Sequence, residues 1–245
     1  MLLIAFLVVK SRVEQPLMPL RIFRMRTVAA ANAVGLLLGG SFLGFVFVGT
    51  LYMQQGLGYS ALQAGVAWLA TSLTSIALVG LSQKLATRIS PGPVMAVGMT
   101  LIGGGILWAT QAPVHGHFWG SLAGPFVIAG AGGAFSFVPI SIGGLTGVAE
   151  REAGLASGLL NTSQQLGGAI GVAIASTVAS THLGTLLANG DTTRVALTGG
   201  FQWAFWVCGA IGLLALPALP LILQRSSRNR GVTELVPVAE GDRVS

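Results

Sequence analysis

Charge is scarce in this sequence. Only 8% of its 245 residues are Asp, Glu, Lys or Arg, where a soluble domain carries about 25%. Hydrophobic residues make up 53%, and the mean hydropathy is +0.78. These values exclude a water-solvated globule and leave an all-α, polytopic membrane protein. Cysteine is as scarce. Cys208 is the single one and sits in an apolar run as a packing residue, so neither a disulfide framework nor a cysteine metal site can form. No secretory signal is expected either. Residues 1–9 are apolar, but Lys10 and Arg12 follow them where a basic region should precede them. Nine residues are too few to cross a bilayer, so this stretch is expected to be the stub of a preceding transmembrane helix.

Acids are missing where a proton relay would need them. All seven (Glu14, Glu150, Glu152, Asp191, Glu234, Glu240 and Asp242) fall outside the long apolar runs. Intramembrane charge is the usual mark of a relay, so no proton-coupling residue is expected in this chain. No Ser/His/Asp or Cys/His arrangement suggests an enzyme. His115 and His117 lack a third ligand, so no metal is expected there. The glycine runs 103–105 and 130–133 lack the Lys-Ser/Thr of a phosphate loop. No cofactor is implied.

What the chain does have is six apolar runs, about 28–52, 62–81, 94–110, 119–142, 154–181 and 201–223. Each is close to the length a helix needs to span a bilayer. The expected organisation is a stub (1–9), a cytoplasmic linker (10–27), a six-span bundle (28–223) and a disordered polar tail (224–245). Lys and Arg collect on the cytoplasmic side of membrane proteins. Alternate connections here hold twelve of the thirteen basic residues, and the other side holds only Arg194. The C-terminus is therefore expected in the cytoplasm. The formal charge of +6 is an orientation signal, since no clustered basic face for nucleic acid is present. Tyr52, Tyr59, Trp108, Trp119, Trp203 and Trp206 fall near the opposite ends of their spans, as interfacial aromatics do.

The stretch 154–176 organises the rest. It has no charge and no proline. Gly154/Gly158 and Gly167/Gly171 are small-xxx-small pairs that let helices approach closely in lipid, as are Gly35/Gly39 in the first span. Asn161, Gln164 and Gln165 fall three and four residues apart, so they share a helical face. Amides at membrane depth must face protein or a water-filled cavity. They either bond to neighbouring helices or line a substrate path. Phe42, Phe45, Trp68, Phe135 and Phe137 either face lipid or wall an aromatic cavity for lipophilic cations. Asn32, near the cytoplasmic end, is expected at the headgroups.

A stub followed by six spans divides as three plus three with opposite sense, the pattern of inverted-repeat carriers. Several stretches sharpen this. Residues 16–24, Pro-Leu-Met-Pro-Leu-Arg-Ile-Phe-Arg, resemble the linker before the C-terminal bundle of the 14-spanner drug:proton antiporters of the major facilitator superfamily. Residues 52–65 resemble the first external turn of that bundle, and residues 152–176 its penultimate span. Residues 85–90, Leu-Ala-Thr-Arg-Ile-Ser, stand where the superfamily often has Leu-Ala-Asp-Arg-x-Gly, with Thr87 and Ser90 departing from the pattern.

The resemblance implies the C-terminal half of a secondary transporter in the cell membrane that exports drugs or other small lipophilic molecules. Export would run by proton antiport with alternating access. The first, second, fourth and fifth spans would face the cavity, and the N-terminal half would supply the protonatable carboxylate. The implied partners are the lipid bilayer, a small-molecule substrate, and either the missing N-terminal bundle or a second copy of the chain. A truncated, non-transporting membrane protein and a homodimeric half-size carrier are the alternative readings.

Overall fold

The computed structural model describes residues 26–114 and 116–218. The stub at 1–9, nearly all of the linker at 10–27, His115 and the tail at 224–245 lie outside the described residues. Helix α1 is Arg26–Leu51, prolonged by a π-turn at Tyr52–Gly56. α2 is Ala61–Arg88, α3 is Pro91–Ala109, and a one-turn helix at Phe118–Ser121 leads into α4, Ala123–Leu145. α5 is Glu150–Ala188 and α6 is Thr193–Leu213, followed by a 3-10 turn at Leu216–Ala218. There are no strands among the described residues. All six helices are long and apolar enough to cross a membrane.

Local signals set the helix ends, and several differ from the ends of the apolar runs. α2 opens with a reciprocal capping box: Gln63 N–H donates to the Ser60 hydroxyl (3.2 Å) and Ser60 N–H donates to Gln63 Oε1 (2.9 Å). It then runs seven residues past Leu81, because nothing breaks it before Ser90-Pro91, where proline disfavours the helical conformation of the residue ahead of it. α3 begins at Pro91, a residue suited to the first helical turn. α5 takes in Glu150-Arg151-Glu152 as its first turn, where acids complement the helix dipole. At 39 residues it is roughly 58 Å long, well beyond a hydrocarbon core of about 30 Å. α6 starts eight residues before the sixth apolar run and ends ahead of Pro217.

α1 and α4 form the centre. α5 packs along α1 and α2 along α4, α3 lies between α4 and α6, and α6 also touches α1 and α5. The triplets α1–α3 and α4–α6 thus repeat one set of neighbours, as a 3+3 bundle requires. The crossings are made by glycine. A Cβ on Gly167 would fall on the Leu36 carbonyl, one on Gly39 on the Gln164 carbonyl, and one on Gly130 of α4 on the Thr71 carbonyl of α2. Backbones this close gain dispersion contacts that lipid cannot replace.

Hydroxyls donate across the same seams. Ser41 bonds to the Cys208 carbonyl (2.8 Å), Ser75 to Gly130 (2.6 Å) and Ser82 to Ala134 (2.8 Å). At one end of the bundle, Tyr52 donates to the Pro113 carbonyl (2.6 Å), Tyr59 Oη accepts from Phe118 N–H (3.0 Å), and Gln202 Nε2 donates to the Ala112 carbonyl (2.8 Å). This is the aromatic end. Lys84, Arg88, Glu150, Arg151 and Glu152 stand at the other, charged end.

Two helices are left uncovered. In the most apolar windows of α2 and α5 only 17% and 11% of residues are buried, against 50–56% in the other four. α2 exposes Leu62, Val66, Leu69, Leu73 and Ile76, and α5 exposes Leu166, Ile170 and Ile174.

Candidate functional site

The polar stretch of α5 lies against α1 and α4 toward the charged end. Asn161 and Gln164 line an open pocket of about 180 Å³ together with Ser141, Leu145, Ser157 and Leu160. Gln164 is half-buried, with its Cγ 3.5 Å from where a Gly35 Cβ would stand. Asn161 and Gln165 are exposed, and Gln165 stays outside the wall of this pocket. The arrangement offers amide and hydroxyl donors and acceptors with no charge among them.

Asn32, expected at the headgroups, finds its partners within the bundle. Its Oδ1 accepts from the Ser163 hydroxyl at 2.7 Å, and its Nδ2 donates back to the Val28 carbonyl at 2.8 Å. This joins α1 to α5 beside the pocket. Only the fold brings Asn32 and Ser163 together, although Ser163 belongs to the same polar cluster as the amides.

The five aromatic residues separate into three groups. Phe42 and Phe137 meet edge to face across α1 and α4, with centroids 5.4 Å apart, and both are half-buried. Phe45 is fully buried, among Trp68 (5.3 Å), Phe126 (5.0 Å) and Phe205 (6.0 Å). It is a core residue. Trp68 is half-buried, packs on Phe126 at 4.5 Å and donates its indole N–H to Thr50 Oγ1 at 3.0 Å. Phe135 lies toward α3, its backbone against Gly98. Two residues from Phe137 is about 200° of helix turn, so the two side chains leave α4 on different sides.

Of the glycines expected at helix contacts, Gly35, Gly39, Gly167 and Gly171 lie on the α1–α5 seam. Gly154 and Gly158 do not. An added Cβ at either meets nothing within 4 Å. Gly158 and Gly167 are nine positions apart, about two and a half turns, so the two pairs lie on opposite faces of α5. Ala156 and Leu160 make the buried face of that part of the helix.

Two more pockets occur at the aromatic end. One of about 400 Å³ is lined by Tyr59, Leu62, Gln63, Val66, Ala67, Phe118 and Trp119. The other, about 280 Å³, lies between α1, α5 and α6 beside Gln55, Ser176, Ser180 and Phe201. No group of three or more His, Cys, Asp or Glu that could hold a metal occurs among the described residues.

A bundle of six helices, each long and apolar enough to cross a membrane, defines a class, the polytopic helical membrane proteins. Residues 6–172 match the sequence profile of the Major Facilitator Superfamily, and the chain belongs to that family as a multi-pass membrane protein. It is 34% identical to the cephamycin export protein CmcT of Amycolatopsis lactamdurans over 97% of this chain and 48% of that protein. It is 31% identical to the tetracenomycin C resistance and export protein of Streptomyces glaucescens over 71% of this chain and 32% of that protein. With the puromycin resistance protein pur8 of Streptomyces alboniger the identity is 28%, over 96% of this chain and 48% of that protein. The chain spans about half the length of the curated relatives it matches or less.

Proposed function

We propose that this chain is one six-helix half of a drug exporter that works by proton antiport and alternating access, rocking against a second six-helix bundle in the cell membrane. The carrying observation is the pair of uncovered helices. α2 and α5 flank the centre on α4 and α1, and both keep apolar faces open along their length. A second bundle laid on these two faces encloses a cavity between the halves, the arrangement in which such carriers bind substrate near the bilayer midplane. The missing N-terminal bundle is the first occupant for that face and a second copy of the chain the other. The names of the relatives, which export or resist cephamycin, tetracenomycin C and puromycin, support a small antibiotic-like substrate.

In this reading Asn161, Gln164, Phe42 and Phe137 form this half's contribution to the cavity. They supply neutral hydrogen bonds and one aromatic edge. The carboxylate that exchanges protons with substrate belongs to the other half. Lys84, Arg88 and Arg151 support a cytoplasmic position for the charged end, and with it for the C-terminus.

The test uses inverted membrane vesicles from cells expressing the native gene. An acid-inside gradient should drive uptake of a lipophilic fluorescent cation, and collapsing the gradient with a proton ionophore should release it. Uptake that ignores the gradient would sink proton antiport. Absence of uptake across a panel of lipophilic antibiotics and dyes would sink the export reading.

A further inference from the structure

One hydroxyl of α5 differs from the rest. Thr162, Thr177, Ser180, Thr181 and Thr185 donate to carbonyls one turn back along the helix, Ser157 donates to the Gly154 carbonyl, and Ser163 donates to Asn32. Ser176 is the remaining hydroxyl of this helix. It is half-buried and its side chain bonds to none of the described residues. An unmade hydroxyl bond is costly in apolar surroundings, so this group needs a partner that the bundle does not supply.

α1 provides the facing wall in an unusual backbone form. Its last turn, Tyr52–Gly56, is π-helical, with Leu57 N–H donating to the Tyr52 carbonyl at 3.0 Å. Such turns are rare and frequent at functional sites. The core side of the turn is pinned, because Tyr52 and Met53 are fully buried and Tyr52 donates to the Pro113 carbonyl. The other side leaves Gln55 exposed, with its amide unbonded among the described residues.

Gln55, Ser176 and Ser180 share the pocket of about 280 Å³ between α1, α5 and α6, with Leu51, Leu183 and Phe201 among its apolar walls. The Ser180 proton is committed to the Ser176 carbonyl at 2.9 Å, so its oxygen can only accept. The Ser176 hydroxyl and the Gln55 amide nitrogen can donate, and Gln55 Oε1 can accept. No ionisable side chain lines the pocket, so a charged group there would lose water and gain no partner. The matching ligand is neutral, carries an acceptor beside a donor as a carboxamide does, and has an apolar body. Sites for drug-sized ligands run from about 300 to 1,000 Å³, so that body is compact.

We propose that this pocket is a small-molecule site for a compact, uncharged carboxamide, separate from the Asn161–Gln164 pocket. Ser176 lies about 18 Å along α5 from Gln164, so one compact molecule cannot fill both. The site is built wholly by α1, α5 and α6 and does not depend on the carrier reading.

Benzophenone-4-carboxamide, a neutral carboxamide on a photoreactive apolar body, is the probe. Irradiated with the purified chain in lipid nanodiscs and mapped by peptide mass spectrometry, it should label residues 51–55, 176–183 or 197–201 saturably. Ser176→Ala and Gln55→Ala should each raise the half-saturating probe concentration by about threefold to tenfold, the effect of one lost hydrogen bond. Thr177→Ala, whose hydroxyl bonds within its own helix, should leave that concentration unchanged. On the wild-type chain, 4-methylbenzophenone, which keeps the body and lacks the amide, should label these residues without saturating. Labelling by the methyl compound as strong and as saturable as by the carboxamide would make the pocket a groove for lipid chains and overturn the proposal. So would labelling confined to the residues around Asn161 and Gln164, or titrations that Ser176→Ala and Gln55→Ala leave unmoved.

Discussion

Gly40 of α1 and Gly171 of α5 touch backbone to backbone: a Cβ on Gly171 would fall on the Gly40 carbonyl, and one on Gly40 would come within 3.1 Å of the Gly167 carbonyl. Neither helix can move away without losing the crossing that seats the polar stretch of α5 beside α1. Gly171→Leu is therefore expected to destabilise the bundle by about 1–3 kcal/mol or more, the cost of overpacking a close seam. Gly158→Leu, which meets open space, should change stability by no more than about 0.5 kcal/mol. Thermal unfolding in detergent, followed by helical circular dichroism, separates the two. Equal losses would mean that the α1–α5 seam lies elsewhere.

The Ser163–Asn32 hydrogen bond invites a double-mutant cycle. Ser163→Ala and Asn32→Ala should each cost about 0.6–1.7 kcal/mol, the range for hydroxyl and amide bonds between membrane helices. The double variant should cost less than their sum, because both remove one bond. Strict additivity in the unfolding measurements would show that the two side chains do not interact in the membrane.

Phe45 and Phe137 should behave differently although both stand near α1. Phe45→Ala opens a cavity in a fully buried aromatic cluster and should cost about 3–5 kcal/mol, with loss of folded yield. Phe137→Ala removes one edge-to-face partner of Phe42, worth about 0.5–1.5 kcal/mol beyond its area, and should leave a folded chain. In the assembled exporter Phe137→Ala and Gln164→Ala should each weaken substrate binding several-fold, measured by equilibrium binding of a labelled drug. Unchanged binding in both would remove the α4–α5 pocket and the Phe42–Phe137 pair from the substrate path.

Part of this arrangement was legible in the sequence because bilayer physics leaves few choices. Six apolar runs give six helices, since only a closed hydrogen-bond ladder survives in lipid, and the Gly39, Gly167 and Gly171 contacts follow from small residues four apart. Helix phase is what the local patterns missed. Counting turns from Gly158 to Gly167, or from Phe135 to Phe137, puts the two residues of each couple on opposite sides of their helix. Hydropathy also ends α2 at Leu81 and starts α6 at Phe201, whereas the hydrogen-bond ladder runs on until a proline or an extended residue stops it. The Asn32–Ser163 and His182–Trp203 contacts join residues from different helices, and no local period marks them.

The central claim is that a second bundle covers α2 and α5, and spin labels test it most directly. Leu69 on α2 and Val97 on α3 are almost equally exposed here, at 50% and 53%, and Ala173 marks the open face of α5. Single cysteines at the three positions, in a Cys208→Ala background, would carry nitroxides in membranes of cells expressing the native gene. Collision with dissolved oxygen, which concentrates in lipid, reports the cover. The labels at 69 and 173 should be several-fold less accessible than the label at 97. Equal accessibility at all three would mean that α2 and α5 face lipid, and that the chain is not half of a larger carrier.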